Sequence, residues 1–111
     1  MGLDMADNYT FLSNLLDEVQ VPENGILSRT LQNDEKSKIV VFGFAPGQEL
    51  SAHTAPMPAV LYFVQGEAEL TLGEDRMEAS AGAVVHMKPQ LEHGIRAKTP
   101  VVMLLVLIKQ P

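Results

Sequence analysis

The chain has 111 residues and a formal net charge of −6 at pH 7, because 14 acidic residues outnumber 8 basic ones. This length suits one domain, and the lack of a basic cluster argues against nucleic acid or a membrane surface as a partner. The chain contains no cysteine, which excludes disulfides and thiolate metal sites, and it shows no signal peptide, so we expect a soluble, cytoplasmic protein.

The first predicted element is a short amphipathic helix over Thr10 to Val19, with Thr10 as its cap. Its apolar residues recur with a period of about 3.6; they are Phe11, Leu12, Leu15, Leu16 and Val19. Pro22 ends the helix. We therefore predict an N-terminal arm over residues 1–21 and a barrel domain over residues 22–111.

After the arm, short apolar runs alternate with turn residues, which is typical of an all-β sandwich or barrel. The predicted strands are Ile26–Leu31, Ile39–Ala45, Ala59–Val64, Ala68–Leu72, Ala83–Met87 and Val101–Ile108. Gln65-Gly66 and Gly73-Glu74-Asp75 predict tight hairpins. Five acidic residues around these turns predict a solvated rim: Glu67, Glu69, Glu74, Asp75 and Glu78.

Two of these runs, Ile39 to Phe44 and Val101 to Ile108, are apolar on both alternating faces. A strand with one solvent-exposed face does not need this pattern, so we expect the outer side of both runs to be covered. The N-terminal helix or a second subunit would serve equally well.

Two stretches carry the histidines of greatest interest. Gly47, His53 and Gly66 stand at the spacings of one motif, and His93 follows the Gly82 and Pro89 of a second. In this combination the chain resembles the cupin superfamily, which includes dioxygenases, isomerases, epimerases and many small single-domain members. The resemblance implies a jelly-roll-like β-barrel, commonly dimeric, with a ligand pocket at its centre.

In metal-binding cupins, two histidines and a glutamate of the first motif and the histidine of the second bind one divalent ion. Here the resemblance assigns two of these positions to His53 and His93, while Ala55 and Ala59 replace the second histidine and the glutamate. If the strand is not bulged, residues 53, 55, 59, 61 and 63 share one face. Methyl groups cannot bind a metal.

Two imidazoles fall short of the three protein ligands that a mononuclear catalytic site normally needs. His86 is the remaining histidine, and its sequence position leaves two roles open: an ordinary strand residue, or the third ligand of a His53, His86 and His93 site. Three imidazoles would suit zinc, copper, iron or nickel. The resemblance to cupins adds manganese as a further candidate metal.

The leading hypothesis is a homodimeric cupin that binds a small, largely apolar or mixed-polarity molecule in a barrel with a degenerate metal site and no tightly held ion. It leaves catalysis open. Its predicted pocket residues are His53, Ala55, Ala59, Leu61, Phe63, His93 and Ile95. The alternative is a metal-dependent dioxygenase or isomerase with the three-histidine site. A third hypothesis is a dimerisation or sensory scaffold, which the absence of any attached domain disfavours.

Overall fold

The computed structural model describes residues 8–110, so residues 1–7 of the predicted arm and Pro111 lie outside the described residues. The predicted helix over Thr10 to Val19 is wrong in length and type: a 3₁₀ turn spans only Leu15–Glu18. Asn14 caps this turn in place of Thr10, since its side chain accepts a hydrogen bond from the Leu16 N–H at 3.1 Å. The arm is extended again from Val19, and its apolar side chains pack on the five-stranded sheet.

The rest of the described chain forms nine strands in two antiparallel sheets, as the β pattern predicts. The strands are β1 (Ile26–Asn33), β2 (Ser37–Phe44), β3 (Glu49–His53), β4 (Ala59–Gln65), β5 (Glu67–Leu72), β6 (Asp75–Ser80), β7 (Val84–Met87), β8 (His93–Ala97) and β9 (Val101–Ile108). One sheet has the order β1-β2-β9-β4-β7 and the other β3-β8-β5-β6. All six predicted strands are present, and β3, β6 and β8 are additional.

The two sheets enclose the main apolar core between their inner faces. Fully buried side chains at one end include Phe44, Phe63 and Val101, each with 0 % exposure. Gly66 lies beside them, where the chain passes from β4 in one sheet to β5 in the other, so Gln65-Gly66 is not the predicted hairpin. Its φ is +91°, and a Cβ there would lie 2.0 Å from the Pro100 carbonyl oxygen. Both the backbone conformation and the lack of space for a side chain therefore require glycine.

The N-terminal arm covers part of the outer face of the five-stranded sheet. Leu12, Leu15, Val19 and Val21 pack against a second buried cluster of Leu31, Val41 and Val102. The arm backbone approaches closely over β2, since a Cβ on Gly43 would lie 3.2 Å from the Gln20 carbonyl oxygen. The arm therefore does the covering that one of the two alternatives predicts, but only over this part of the sheet.

The rest of that outer face remains apolar and open. Strand pairing places Val60 beside Val106 and His86, and Tyr62 beside Leu104 and Val84. Tyr62 is 39 % exposed, Val84 63 % and Ile108 41 %. We call this surface the open apolar face; its residues are Val60, Tyr62, Val84, His86, Val106 and Ile108.

The outer face of the four-stranded sheet is charged instead. Arg76 donates to Glu69 at 2.6 Å, and Lys98 donates to Glu78 at 2.7 Å. The hydrogen bond from Arg76 lowers the pKa of the Glu69 carboxyl, and the Glu78 carboxylate raises the pKa of Lys98. This sheet therefore presents a hydrated face, in agreement with the predicted acidic rim.

Among residues 8–110, no helix is long and apolar enough to cross a membrane.

Candidate functional site

His53 and His93 meet on neighbouring strands of the four-stranded sheet. Residue pairing between β3 and β8 sets them opposite each other, and their ring centroids lie 4.4 Å apart with the planes tilted by 53°. His93 is buried, with 7 % exposure, whereas His53 is exposed. The pair therefore spans the boundary between the barrel interior and solvent: the His93 ring lies inside the barrel and the His53 ring is exposed.

Each ring is held in place by the backbone carbonyl two residues before it in the chain. His53 Nδ1 donates to the Ser51 carbonyl oxygen at 2.8 Å, and His93 Nδ1 donates to the Leu91 carbonyl oxygen at 2.9 Å. A carbonyl oxygen can only accept, so Nδ1 carries the proton in both rings and a neutral ring has its lone pair on Nε2. The two side chains thus present the same tautomer and the same free acceptor atom.

A β-bulge turns His53 toward His93. The pairing of β3 with β8 shifts by one residue between Leu50 and His53, so the Leu50 and His53 side chains lie on the same face of the sheet although their positions have opposite parity. Gly94 makes room for the bulge, because a Cβ there would lie 3.2 Å from the Ala52 backbone nitrogen. The bulge invalidates the simple parity argument for this strand.

The predicted run of residues 53, 55, 59, 61 and 63 is divided between two sheets. His53 ends β3, Ala55 is half-buried in the connecting loop, and β4 begins at Ala59. Ala59, Leu61 and Phe63 do share an inner face, with exposures of 2 %, 1 % and 0 %. One unbroken strand over these positions is therefore wrong, while the shared inner face of the last three is right.

Incomplete burial of several core leucines indicates that the barrel opens near the histidines. Four leucines belong to the core cluster yet are only half-buried: Leu72, Leu91, Leu105 and Leu107. Leu72 pairs with His93, and Leu107 pairs with Ala59 on the opposite sheet. We call the two histidines and these four leucines the mouth. None of the four leucines was predicted from the sequence; the alternation along β9 was the signal for two of them.

The deeper predicted pocket residues, Leu61, Phe63 and Ile95, lie in the packed core below the mouth and have at most 2 % exposure. A shallow depression elsewhere, lined by Glu69, Arg76, Met77 and Glu78, holds about 130 Å³ on the four-stranded sheet. That volume is below the roughly 300 Å³ of a small ligand pocket. The mouth is the better candidate site because it holds the two adjacent imidazoles.

The structure does not bring His86 to the histidine pair. His86 is opposite Val60 in the β4–β7 ladder, whereas Met87 is opposite the inward-facing Ala59. Paired residues share a face, so His86 belongs to the open apolar face outside the barrel. In the described part of the chain, no group of three or more histidine, aspartate or glutamate side chains is arranged to hold a metal ion. The donors present do not fit a resident metal.

Two backbone contacts fix the loops around the mouth. The Gln90 N–H donates to the Ala55 carbonyl oxygen at 2.7 Å, and the Gly73 N–H donates to the Glu92 carbonyl oxygen at 2.7 Å. Gln90 has a φ of +70°, an unfavourable value for a residue with a side chain. The turn that carries the Leu91 carbonyl, and so orients His93, is thus tied to both neighbouring loops.

Comparison with known families agrees with this architecture. The model of the cupin domain matches residues 40–107, which is more than half of the chain. The chain belongs to the cupin family. A comparison with curated proteins finds none that matches this cupin.

Solved structures with this fold include several small cupins. A conserved protein of unknown function from Streptococcus pyogenes has a TM-score of 0.84 and 28 % identity, covering 100 % of this chain and 96 % of that one. A cupin superfamily protein from Desulfitobacterium hafniense has a TM-score of 0.82 and 24 % identity over 86 % and 88 % of the two chains. An RmlC-like cupin from Desulfovibrio desulfuricans has a TM-score of 0.80 and 28 % identity over 90 % and 97 %.

Proposed function

We propose that this cupin binds a small, largely apolar molecule at its mouth without a tightly held metal ion. The observation that carries the proposal is the pair of adjacent imidazoles, each with an unengaged Nε2, at an opening otherwise lined by leucines. Apolar walls with a few convergent polar groups are the usual composition of a ligand site.

The donor set supports binding without a metal. Only His53 and His93 converge, and a partial ligand set loses much of the affinity that holds an ion. Ala55 and Ala59, which the family resemblance aligns with metal ligands, offer methyl groups. The competing function is a metal-dependent dioxygenase or isomerase, which would need a further ligand from outside this set.

Elemental analysis of protein purified without chelator tests this proposal. We expect less than a tenth of an equivalent of zinc, nickel, iron, manganese or copper per chain. One tightly bound equivalent would overturn the metal-free proposal. A thermal-shift screen of small aromatic and aliphatic compounds against the same preparation then tests ligand binding, since a ligand that binds only the folded state raises its apparent stability.

We also propose that the protein is a homodimer in which a second copy covers the open apolar face. The contrast between the two sheets supports an interface on the five-stranded sheet. Its outer face carries Tyr62, Val84 and Ile108, whereas the outer face of the four-stranded sheet carries ion pairs. A contiguous exposed apolar surface is the common mark of a protein interface. A two-fold arrangement would bury the same residues of both copies.

A further inference from the structure

We propose that the ligand is a neutral molecule that donates a hydrogen bond from a phenolic or enolic O–H to the histidine pair, with an apolar body held by the leucines. This inference rests on the proposed function and specifies its ligand. Three observations lead to it: the tautomer of the two rings, the net charge of the protein and the apolar lining of the mouth.

The tautomer determines which partner the mouth accepts. Both Nδ1 protons are used on backbone carbonyls, of Ser51 and Leu91, so each neutral ring offers only an acceptor at Nε2. Neither Nε2 has a hydrogen-bond partner among residues 8–110, and no buried side-chain nitrogen or oxygen there is unpartnered. His93 Nε2 therefore keeps some access to solvent despite the burial of its ring. A molecule entering the mouth meets two acceptors and must supply a donor.

The protein's net charge and the apolar lining of the mouth favour a neutral donor over an anion. A carboxylate would need a protonated imidazole, and the formal net charge of −6 opposes its approach. The leucines likewise disfavour a charged ligand, because burying an ion that lacks full pairing is costly. A phenol or enol combines a good O–H donor with an apolar body, and so agrees with all three observations.

The experiment uses three probes of similar size: 4-methylphenol, its methyl ether and toluene. The ether keeps the oxygen and loses the proton, so it isolates the donor. Affinities for metal-free protein would be measured by titration calorimetry or ligand-observed NMR. Since one hydrogen bond contributes about 0.5–1.5 kcal/mol net, we expect 4-methylphenol to bind roughly 2- to 12-fold more tightly than its ether.

Variants assign the preference to the histidines. His53→Leu replaces the imidazole by an apolar side chain of similar size. Because His53 is exposed, the fold should survive, and the preference for the phenol should fall. His86→Gln is the matched control on the outer face and should keep the preference. Long-range ¹H–¹⁵N spectra of the imidazoles provide a second measurement: the phenol should shift an Nε2 resonance while the Nδ1–H tautomer persists.

The outcomes separate the two proposals. Equal binding of 4-methylphenol and its ether would overturn the donor inference and leave metal-free binding at the mouth intact. A preference that survives in His53→Leu, together with no phenol-induced shift of either histidine in the parent protein, would also overturn it. If none of the three probes binds at millimolar concentration, both the inference and the proposed binding function fail.

Discussion

Replacing Val84 by glutamate tests whether a second copy covers the open apolar face. Val84 is 63 % exposed in the single chain. Full burial of a valine side chain contributes about 1.5–3 kcal/mol, so covering the exposed part contributes about 1–2 kcal/mol. A two-fold interface contains the residue twice, which gives about 2–4 kcal/mol and a roughly 30- to 700-fold weaker dimer. The introduced carboxylates would add to this loss, because the interface would desolvate them.

Sedimentation equilibrium over 0.1–100 µM protein would measure the dissociation constant, with a dimer at twice the 12.1 kDa chain mass. Circular dichroism would verify that the variant remains folded, as expected for a substitution at a mostly exposed side chain. Thr71→Glu is the matched control: Thr71 pairs with the exposed Arg76 on the charged outer face of the four-stranded sheet. A parent protein that is monomeric at 100 µM would refute the proposed interface, and so would an equal weakening of the dimer by both variants.

Three further predictions address the mouth and the fold. Ala55→His together with Ala59→Glu should increase nickel or manganese affinity, measured by calorimetry, at a stability cost of at least about 1–3 kcal/mol because Ala59 is 2 % exposed; unchanged affinity in the folded double variant would refute the assignment of these positions. Gly66→Ala should lower the free energy of unfolding in urea by more than about 1 kcal/mol, given its φ of +91° and its contact with Pro100, and a neutral result would contradict that requirement for glycine. Asp34 accepts two backbone hydrogen bonds in the β1–β2 turn, which lower its pKa below the usual 3.8. Its stabilisation is thus present above that value and lost as pH falls through the folded pKa, so Asp34→Ala should lower the melting temperature at pH 6 and progressively less below pH 3.8; a constant difference across this range would disprove the turn's dependence on the carboxylate.

The six apolar strands could be predicted from the sequence because their runs of branched and aromatic residues are bounded by turn residues. The missed strands β3, β6 and β8 have a different composition. β6, with the sequence Asp75–Ser80, is an edge strand with five exposed residues, so its pattern resembles a loop. Its pairing with β5 makes it a strand, and that pairing is a tertiary property.

The sequence also indicated the family, named His53 and His93 as candidate site residues, and predicted that the outer side of Val101 to Ile108 is covered. Which way each histidine faces depended on the folded structure. A single bulged residue between Leu50 and His53 turns one imidazole toward the other, and pairing with Val60 turns His86 away from both. Alternation along one strand cannot reveal such shifts, because side-chain direction changes with each residue and register is set by the neighbouring strand. The sequence therefore named the candidate site residues, and the ladder between strands decided which of them meet.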